Sequence, residues 1–306
     1  MRVVWLSDYS GKLVKTGYAR ATDAILTGLH AKGHEIIEVG VGYQGYGEGR
    51  PWKVYPSNAF GGRLEGQDAA PLIARDVQAD VMVLLMDPPD TAWALLYQDR
   101  QGGILSAECT EALDKREFGL CMYSPVDAYC PDGKLPRRWA EIFRNIRTFD
   151  AVATPSRFAQ NLLSECFARP VTYLPHGVDH KVFKPHGDPK AARERLGFPT
   201  ESLTLLYVAV NKRRKMVPAF FETAAKLIER IPSLVDGTHP IYKGLTLVFQ
   251  GDDREDNFDL DSLEKVYGLE RPNVSTYRTE NLSDGGLVLL DNAADIFVGL
   301  SGGEGF

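Results

Sequence analysis

The chain has 306 residues, more than one hydrophobic core usually organises, so two domains are expected. Hydrophobic residues make up 44% and charged residues 25%, a balance that excludes a disordered chain, and no repeat of solenoid length is present. A formal net charge of -6 gives no global attraction to nucleic acid or an anionic membrane, so a polyanionic ligand would have to be met by a local basic patch.

Apolar runs such as "DVMVLLM" (80–86) fall far short of the roughly 20 residues of a membrane helix. The Met1 start carries no signal-peptide pattern, and the chain is expected to be cytoplasmic, with no integral membrane segment. Cys109, Cys121, Cys130 and Cys166 show no C-x-x-C spacing and read as reduced thiols. His176 and His180 flank Asp179 in "HGVDH", but Gly177 argues for a turn and against a ligand-bearing helix, so no metal is expected.

In chain order, β-branched runs alternate with segments of helical period, the pattern of parallel βαβ units. "MRVVWLS" is the first strand. Thr16 to Lys32 reads as a helix with Thr16 as N-cap, Gly33 as the stop and Ala21, Ile25, Gly28 and Leu29 on one face. "HEIIEVGV" is the second strand, and residues 42–66, rich in Gly, Tyr and Pro, read as a long excursion. Further strands are expected at 79–86, 118–126, 149–156 and 169–175. Between them, "PRRWAEIFRNI" carries Trp139, Ile142, Phe143 and Ile146 on one stripe. "SRFAQNLLSECF" opens on the N-cap Ser156 and points Phe158, Leu162, Cys166 and Phe167 inward.

Residues 180–202 are polar, contain three prolines and read as a linker with a short helix. The βα rhythm then restarts with strands at 203–210, 245–251, 273–278 and 294–300, and helices from about Met216 to Arg230, Asp259 to Tyr267 and Ser283 to Asn292. The expected fold is α/β, with two Rossmann-like doubly wound domains facing a cleft. The domain boundaries are 1–180 for the N-terminal domain, 181–202 for the linker and 203–306 for the C-terminal domain.

Ligands of this fold class sit at the carboxyl ends of the strands, so the residues that follow strands are the candidates. "VNKRRK" places Lys212, Arg213, Arg214 and Lys215 between a buried strand and a helix start. Backbone N–H groups, the positive end of a helix dipole and cationic side chains meet there, a combination suited to a diphosphate. Gly17, in "KTGYAR", lets a backbone approach a ligand without a Cβ in the way. The absence of G-x-G-x-x-G sets a dinucleotide oxidoreductase aside. Asp127, in "YSPVDAY", is either an orienting carboxylate or an Asx-turn residue. Glu304, in "SGGEGF", stands among glycines that leave its carboxylate open to a polyhydroxyl ligand.

Taken in order, these stretches resemble retaining glycosyltransferases of the GT-B fold, specifically glycosyltransferase family 4. The longest match is "VATPSRFAQNLLSECFARPVTYLPHGVDHKVFKP", close to the family pattern "PSxF…V…PxGVDxxxFxP". "LLYVAVNKRRKMVPAFFETAAKL" resembles the strand, basic turn and helix that hold the donor diphosphate, and "LLDNAADIFVGLSGGEGF" resembles "YNAADVFVLPSxxEGFG".

The resemblance implies an acceptor-side N-terminal domain, a donor-nucleotide C-terminal domain, and metal-independent transfer of a sugar from a nucleotide-sugar donor to an acceptor hydroxyl with retention. Gly17 matches the N-terminal loop near the donor phosphates and the acceptor. Lys215 matches the diphosphate-binding lysine, with Arg214 as helper, and Asn211 and Gly303 are assigned with them to donor binding. Asp127 and Glu304 are the expected catalytic residues, Glu304 as the first glutamate of E-x7-E. The family's Gly-Arg before the basic turn is replaced here by Ala209 and Val210, so Arg213 or Arg214 substitutes for the usual arginine.

The second glutamate of E-x7-E would fall after Phe306, so a truncated chain with an incomplete C-terminal domain is expected. No cofactor is expected beyond a UDP- or GDP-sugar substrate. The acceptor is left open among glycan, lipid, small molecule, protein and DNA. Two alternatives stand beside this reading: a catalytically silent nucleotide-binding fragment or degenerate relative, and a sugar-nucleotide epimerase of the same fold, which lacks the "PHGVD" pattern seen here.

Overall fold

The computed structural model describes residues 1–11, 16–46, 49–59, 66–91, 93–96, 105–126, 149–167, 169–251 and 258–301. The chain divides into one compact unit over Met1–His176 and a second that starts at Gly177. Both are α/β with parallel sheets.

The first unit runs β1 (Arg2–Asp8), α1 (Gly17–Ala31), β2 (Glu35–Val41), β3 (Lys53–Pro56), α2 (Ala70–Asp76), β4 (Val81–Leu85), α3 (Pro88–Thr91) and α4 (Trp93–Leu96). It continues with α5 (Ala107–Asp114), β5 (Gly119–Tyr123), β6 (Ala151–Thr154), α6 (Arg157–Phe167) and β7 (Thr172–Tyr173). The strands form one sheet in the order β3-β2-β1-β4-β5-β6-β7, every pair parallel. Strand β1 shows why the sheet is covered on both sides. Val4 and Leu6 enter one core with Val39, Met82, Leu84 and Leu120, while Val3 and Trp5 enter another with Leu26, Ile36 and Trp52. From Val3 to Leu6 successive side chains alternate faces and all are apolar, as parallel strands beneath crossover helices require.

Helix α1 begins at its expected cap, the Thr16 hydroxyl accepting from the Ala19 N–H at 3.1 Å. Its innermost residues are Ala19, Thr22 and Leu26, with Ala21, Ile25 and Leu29 partly buried and Gly28 exposed. The expected stripe is therefore the flank of the buried face. The Trp5 indole N–H fixes the true centre by donating to the Thr22 hydroxyl at 3.2 Å.

The excursion expected over 42–66 contains an edge strand, β3, held in register against β2. In α6 the Ser156 cap is present, but Phe158 faces solvent and Ala159 and Leu163 take its place beside Leu162, Cys166 and Phe167. An inward Phe158 would sit one position off the buried stripe of a 3.6-residue helix. The stripe proposed over 136–146 lies outside the described residues.

The second unit runs α7 (Pro189–Leu196), β8 (Ser202–Val208), a 3-10 turn over Arg213–Lys215, α8 (Val217–Arg230), α9 (Ser233–Asp236), β9 (Gly244–Gln250), α10 (Leu260–Val266), β10 (Val274–Thr279), α11 (Asp284–Ala293) and β11 (Ile296–Phe297). Its sheet has the order β10-β9-β8-β11, again all parallel. The first four strands of each unit, in chain order, therefore repeat one topology. Strand β9 is buried at every position, as a central strand under helices on both faces must be.

The segment expected as a linker is built into this unit. Asp188 caps α7, and Gly197 ends it in the left-handed conformation at φ 71°. The buried Arg193 side chain donates through Nε to the Ala293 carbonyl at 2.8 Å and through Nη1 to the Thr200 carbonyl at 3.1 Å. Its Nη2 pairs with the Asp295 carboxylate at 2.7 Å, and that carboxylate also accepts from the Thr204 N–H at 2.8 Å. One guanidinium thus ties α7 to the end of α11, the approach to β8 and the residue that leads into β11. Arg193→Ala would leave Asp295 without its cation, and chemical denaturation is expected to show a loss of about 3 kcal/mol.

At the end of the first unit, the His176 ring packs edge-on against Tyr123, with centroids 5.6 Å apart. Burial holds the Tyr123 phenol up at about 12 and pushes the His176 imidazole below its ordinary 6.5. The unfolded chain therefore takes up a proton that the folded one refuses. The stability tied to His176 is full above pH 6.5 and is lost as the pH falls through the folded value. Denaturation between pH 7 and 5, about the window in which imidazole titrates, should show a weaker acid dependence in His176→Phe than in the parent.

Candidate functional site

Each sheet has one point where the crossovers leave in opposite directions, between β1 and β4 in the first unit and between β8 and β11 in the second. Such switch points open a crevice at the carboxyl ends of the strands. The sequence candidates among the described residues lie at these two places. Gly17 belongs to the first unit; Asn211, Arg214 and Lys215 belong to the second. Asp127, Gly303 and Glu304 lie outside the described residues.

In the second unit, β8 runs into the basic turn. Asn211 is fully buried, and its side-chain amide donates to the Phe258 carbonyl at 2.7 Å, joining the turn to the segment that enters α10. Lys212, Arg213 and Arg214 are exposed and Lys215 is partly buried. Some of the turn's N–H groups serve the turn itself: Lys212 donates to Val210, Lys215 to Lys212 and Met216 to Arg213. Met216 then adopts φ 56° and ψ 38° as the N-cap of α8, with no side-chain cap and no acidic residue in the first turn. Four cations accordingly precede a 14-residue helix whose positive end is uncapped, a local concentration of positive charge that suits phosphate oxygens.

The turn is held from beneath. The Tyr207 hydroxyl donates to the Lys215 carbonyl, and its ring stacks on Phe220 of α8 with centroids 5.0 Å apart. The Ser301 hydroxyl, beyond β11, donates to the Arg214 carbonyl at 3.4 Å. At the end of β9, Gly251 donates to the Thr279 carbonyl at 2.9 Å, and a Cβ placed there would come within 1.8 Å of the Ala209 carbonyl oxygen. Only glycine lets the two strand ends come this close.

In the first unit, the Thr16 hydroxyl donates to the Asp8 carboxylate at the end of β1, and the Tyr18 hydroxyl donates to Asp87, just beyond β4. Gly17 lies between these two grips, as the exposed first residue of α1. A Cβ on Gly17 would meet nothing within 4 Å. The fold therefore imposes no steric need for glycine there, unlike Gly251. Among the described residues, no three His, Cys, Asp or Glu side chains gather into a metal-binding set, and no helix is long and apolar enough to cross a membrane.

Tyr207, Ser301 and Gly251 escape a sequence reading that looks for charge. For Gly251 the available signal was a glycine directly behind an apolar strand; Tyr207 is indistinguishable from a core residue of β8 until its hydroxyl is seen to reach the turn.

No protein-family model matches the sequence, and no match to it is found among the curated proteins. Solved structures are similar in fold. Sucrose-phosphate synthase from Thermosynechococcus elongatus is 16% identical with a TM-score of 0.70, over 100% of this chain and 76% of that one. HepE of Anabaena, solved in complex with UDP-glucose, is 16% identical with a TM-score of 0.61, over 98% of this chain and 74% of that one. A glycosyltransferase from Rickettsia africae is 14% identical with a TM-score of 0.64, over 98% of this chain and 73% of that one. The chain has the α/β, two-domain, Rossmann-like fold of GT-B glycosyltransferase structures.

Gly251→Ala tests the packing beneath the basic turn. It is expected to destabilise the protein by about 2 kcal/mol or more, because the contact is with backbone that cannot rotate away; equilibrium denaturation measures it.

Proposed function

We propose that this chain is a glycosyltransferase that takes its sugar from a nucleotide diphosphate donor, with UDP- or GDP-sugars as the donor class, and passes it to an acceptor hydroxyl. The observation that carries the reading is the basic turn over Arg213–Lys215, set at the uncapped start of α8 beside the switch point of the second sheet. It stands in a fold shared with a protein solved in complex with UDP-glucose. Lys215 and Arg214 neutralise the diphosphate as it leaves, the step at which charge grows and fixed cations help most. Asn211 fixes the base of the turn, and Gly17 is assigned to donor binding on the family 4 resemblance alone.

On the family 4 resemblance, Asp127 and Glu304 act on the reacting sugar, Gly303 on the donor, and transfer proceeds with retention and without a metal ion or any further cofactor. Free thiols at Cys109, Cys121 and Cys166 favour a cytoplasmic setting.

Calorimetric titration with UDP-glucose and GDP-mannose tests the donor site. Lys215→Ala is expected to weaken binding of the preferred nucleotide sugar by about 10- to 100-fold, the range for a charge-assisted hydrogen bond to phosphate. Affinity should also fall with added salt. Unchanged affinity in Lys215→Ala would refute the diphosphate assignment, and tight binding without turnover over a panel of acceptor hydroxyls would favour a nucleotide-binding module instead.

A further inference from the structure

Glu38 is a fully buried carboxylate in the middle of β2. A buried charge is costly unless its lone pairs are filled. Here three donors converge on it: the Ser10 N–H at 2.6 Å, the Ser10 hydroxyl at 2.7 Å and the Trp52 indole N–H at 2.8 Å. Ser10 is itself fully buried, and its carbonyl accepts from Arg50, which pairs with Asp23 of α1 at 2.9 Å. Every polar atom of Ser10 is thus committed, two of them to Glu38. Tyr9, just before it, donates its N–H to the Val41 carbonyl at 3.1 Å and packs its ring on Tyr43.

Ser10 begins the connection from β1 to α1, and Thr16 ends it, gripped by Asp8 and capping the helix. The entrance of the connection is fixed by a buried carboxylate and its exit by a helix cap, with Gly17 directly after the exit. A core glutamate is not needed for packing, since an apolar residue of the same volume would fill the space without a desolvation cost. What only the carboxylate supplies is acceptance from all three donors at once.

We propose that Glu38 is a positioning residue: it fixes the chain at Ser10 behind β1 and, through Asp8 two residues earlier and its grip on Thr16, keeps Gly17 in the place used for sugar transfer. This rests on the glycosyltransferase reading. Glu38 touches no substrate and acts through Ser10. Replacement by glutamine keeps the shape but turns one oxygen into a donor, which then faces N–H or O–H groups of Ser10 or the Trp52 indole.

The test uses the full chain, with Glu38→Gln and the milder Ser10→Ala, which keeps the Ser10 N–H and loses its hydroxyl. Amide exchange at Tyr9–Gly11 and at Gly17–Tyr18 is expected to accelerate in both variants, more in Glu38→Gln. With the preferred UDP- or GDP-sugar, kcat is expected to fall about tenfold in Glu38→Gln, as for a misplaced reacting group. The Kd for the free nucleoside diphosphate should stay within about twofold, because the basic turn belongs to the other unit. Exchange that stays at the parental rate in both variants, or faster exchange with an unchanged kcat, overturns the proposal. If Glu38→Gln does not fold, Ser10→Ala decides by the same two readouts. A parent chain that neither binds nor turns over a nucleotide sugar would instead overturn the glycosyltransferase reading, and the exchange measurement would still decide whether Glu38 anchors the connection.

Discussion

Parallel pairing is the constraint on which the rest of this molecule depends. Two adjacent parallel strands cannot be joined by a tight turn, so each connection must cross the sheet and return, and it does so through a right-handed crossover. All the carboxyl ends therefore fall on one edge of each sheet, and the residues that follow the strands become neighbours however far apart they lie in sequence. Asp8 and Asp87 grip the same first turn of α1 for this reason. Ser301 reaches the carbonyl of Arg214 for the same reason, across 87 positions of sequence.

Much of the fold was legible in the sequence because strands buried on both faces have to be written in continuous apolar runs. Strands β1, β2, β4, β5, β8 and β9 lie where those runs predict them. The caps at Thr16 and Ser156 were equally readable, since a hydroxyl ahead of a helical period has one main use, and Asp259 and Ser283, expected as helix starts, are caps as well. Strand β3 was hidden because an edge strand needs only one neighbour, and "KVYP" is short, half exposed and closed by a proline. The stripe of α1 was displaced because Thr22, which reads as a surface residue, is buried to receive the Trp5 indole. Arg193 was likewise invisible. In a polar, proline-rich segment an arginine reads as solvated, and only its partners Ala293, Thr200 and Asp295 make it a core residue.

The candidate site divides along the same line. Charge and position singled out the basic turn as a candidate, and Arg213–Lys215 do lie between a strand and a helix start. What fixes the turn was not legible, since Tyr207 and Gly251 act through backbone atoms whose locations are set by the finished sheet. Gly17 and Gly251 show how little a residue type reveals by itself. The same amino acid is sterically required at one position and unconstrained by its surroundings at the other.

The two units meet one mechanical problem with different chemistry. A turn that follows a strand is exposed, and its conformation would be loosely determined if nothing held it. In the second unit the restraint comes from the strand that precedes the turn. Tyr207 is anchored by stacking on Phe220 and sends one hydroxyl up to the Lys215 carbonyl. A phenol suits that place, because a buried anion beneath Arg213, Arg214 and Lys215 would cancel the positive field of the turn. In the first unit the restraint comes from the neighbouring strand, through the carboxylate of Glu38. A carboxylate has two oxygens and no proton to place, so it accepts several donors at once, and Ser10 is gripped there by its N–H and hydroxyl groups. The groups each turn offers, a carbonyl in one and an N–H with a hydroxyl in the other, thus match the buried group that holds it.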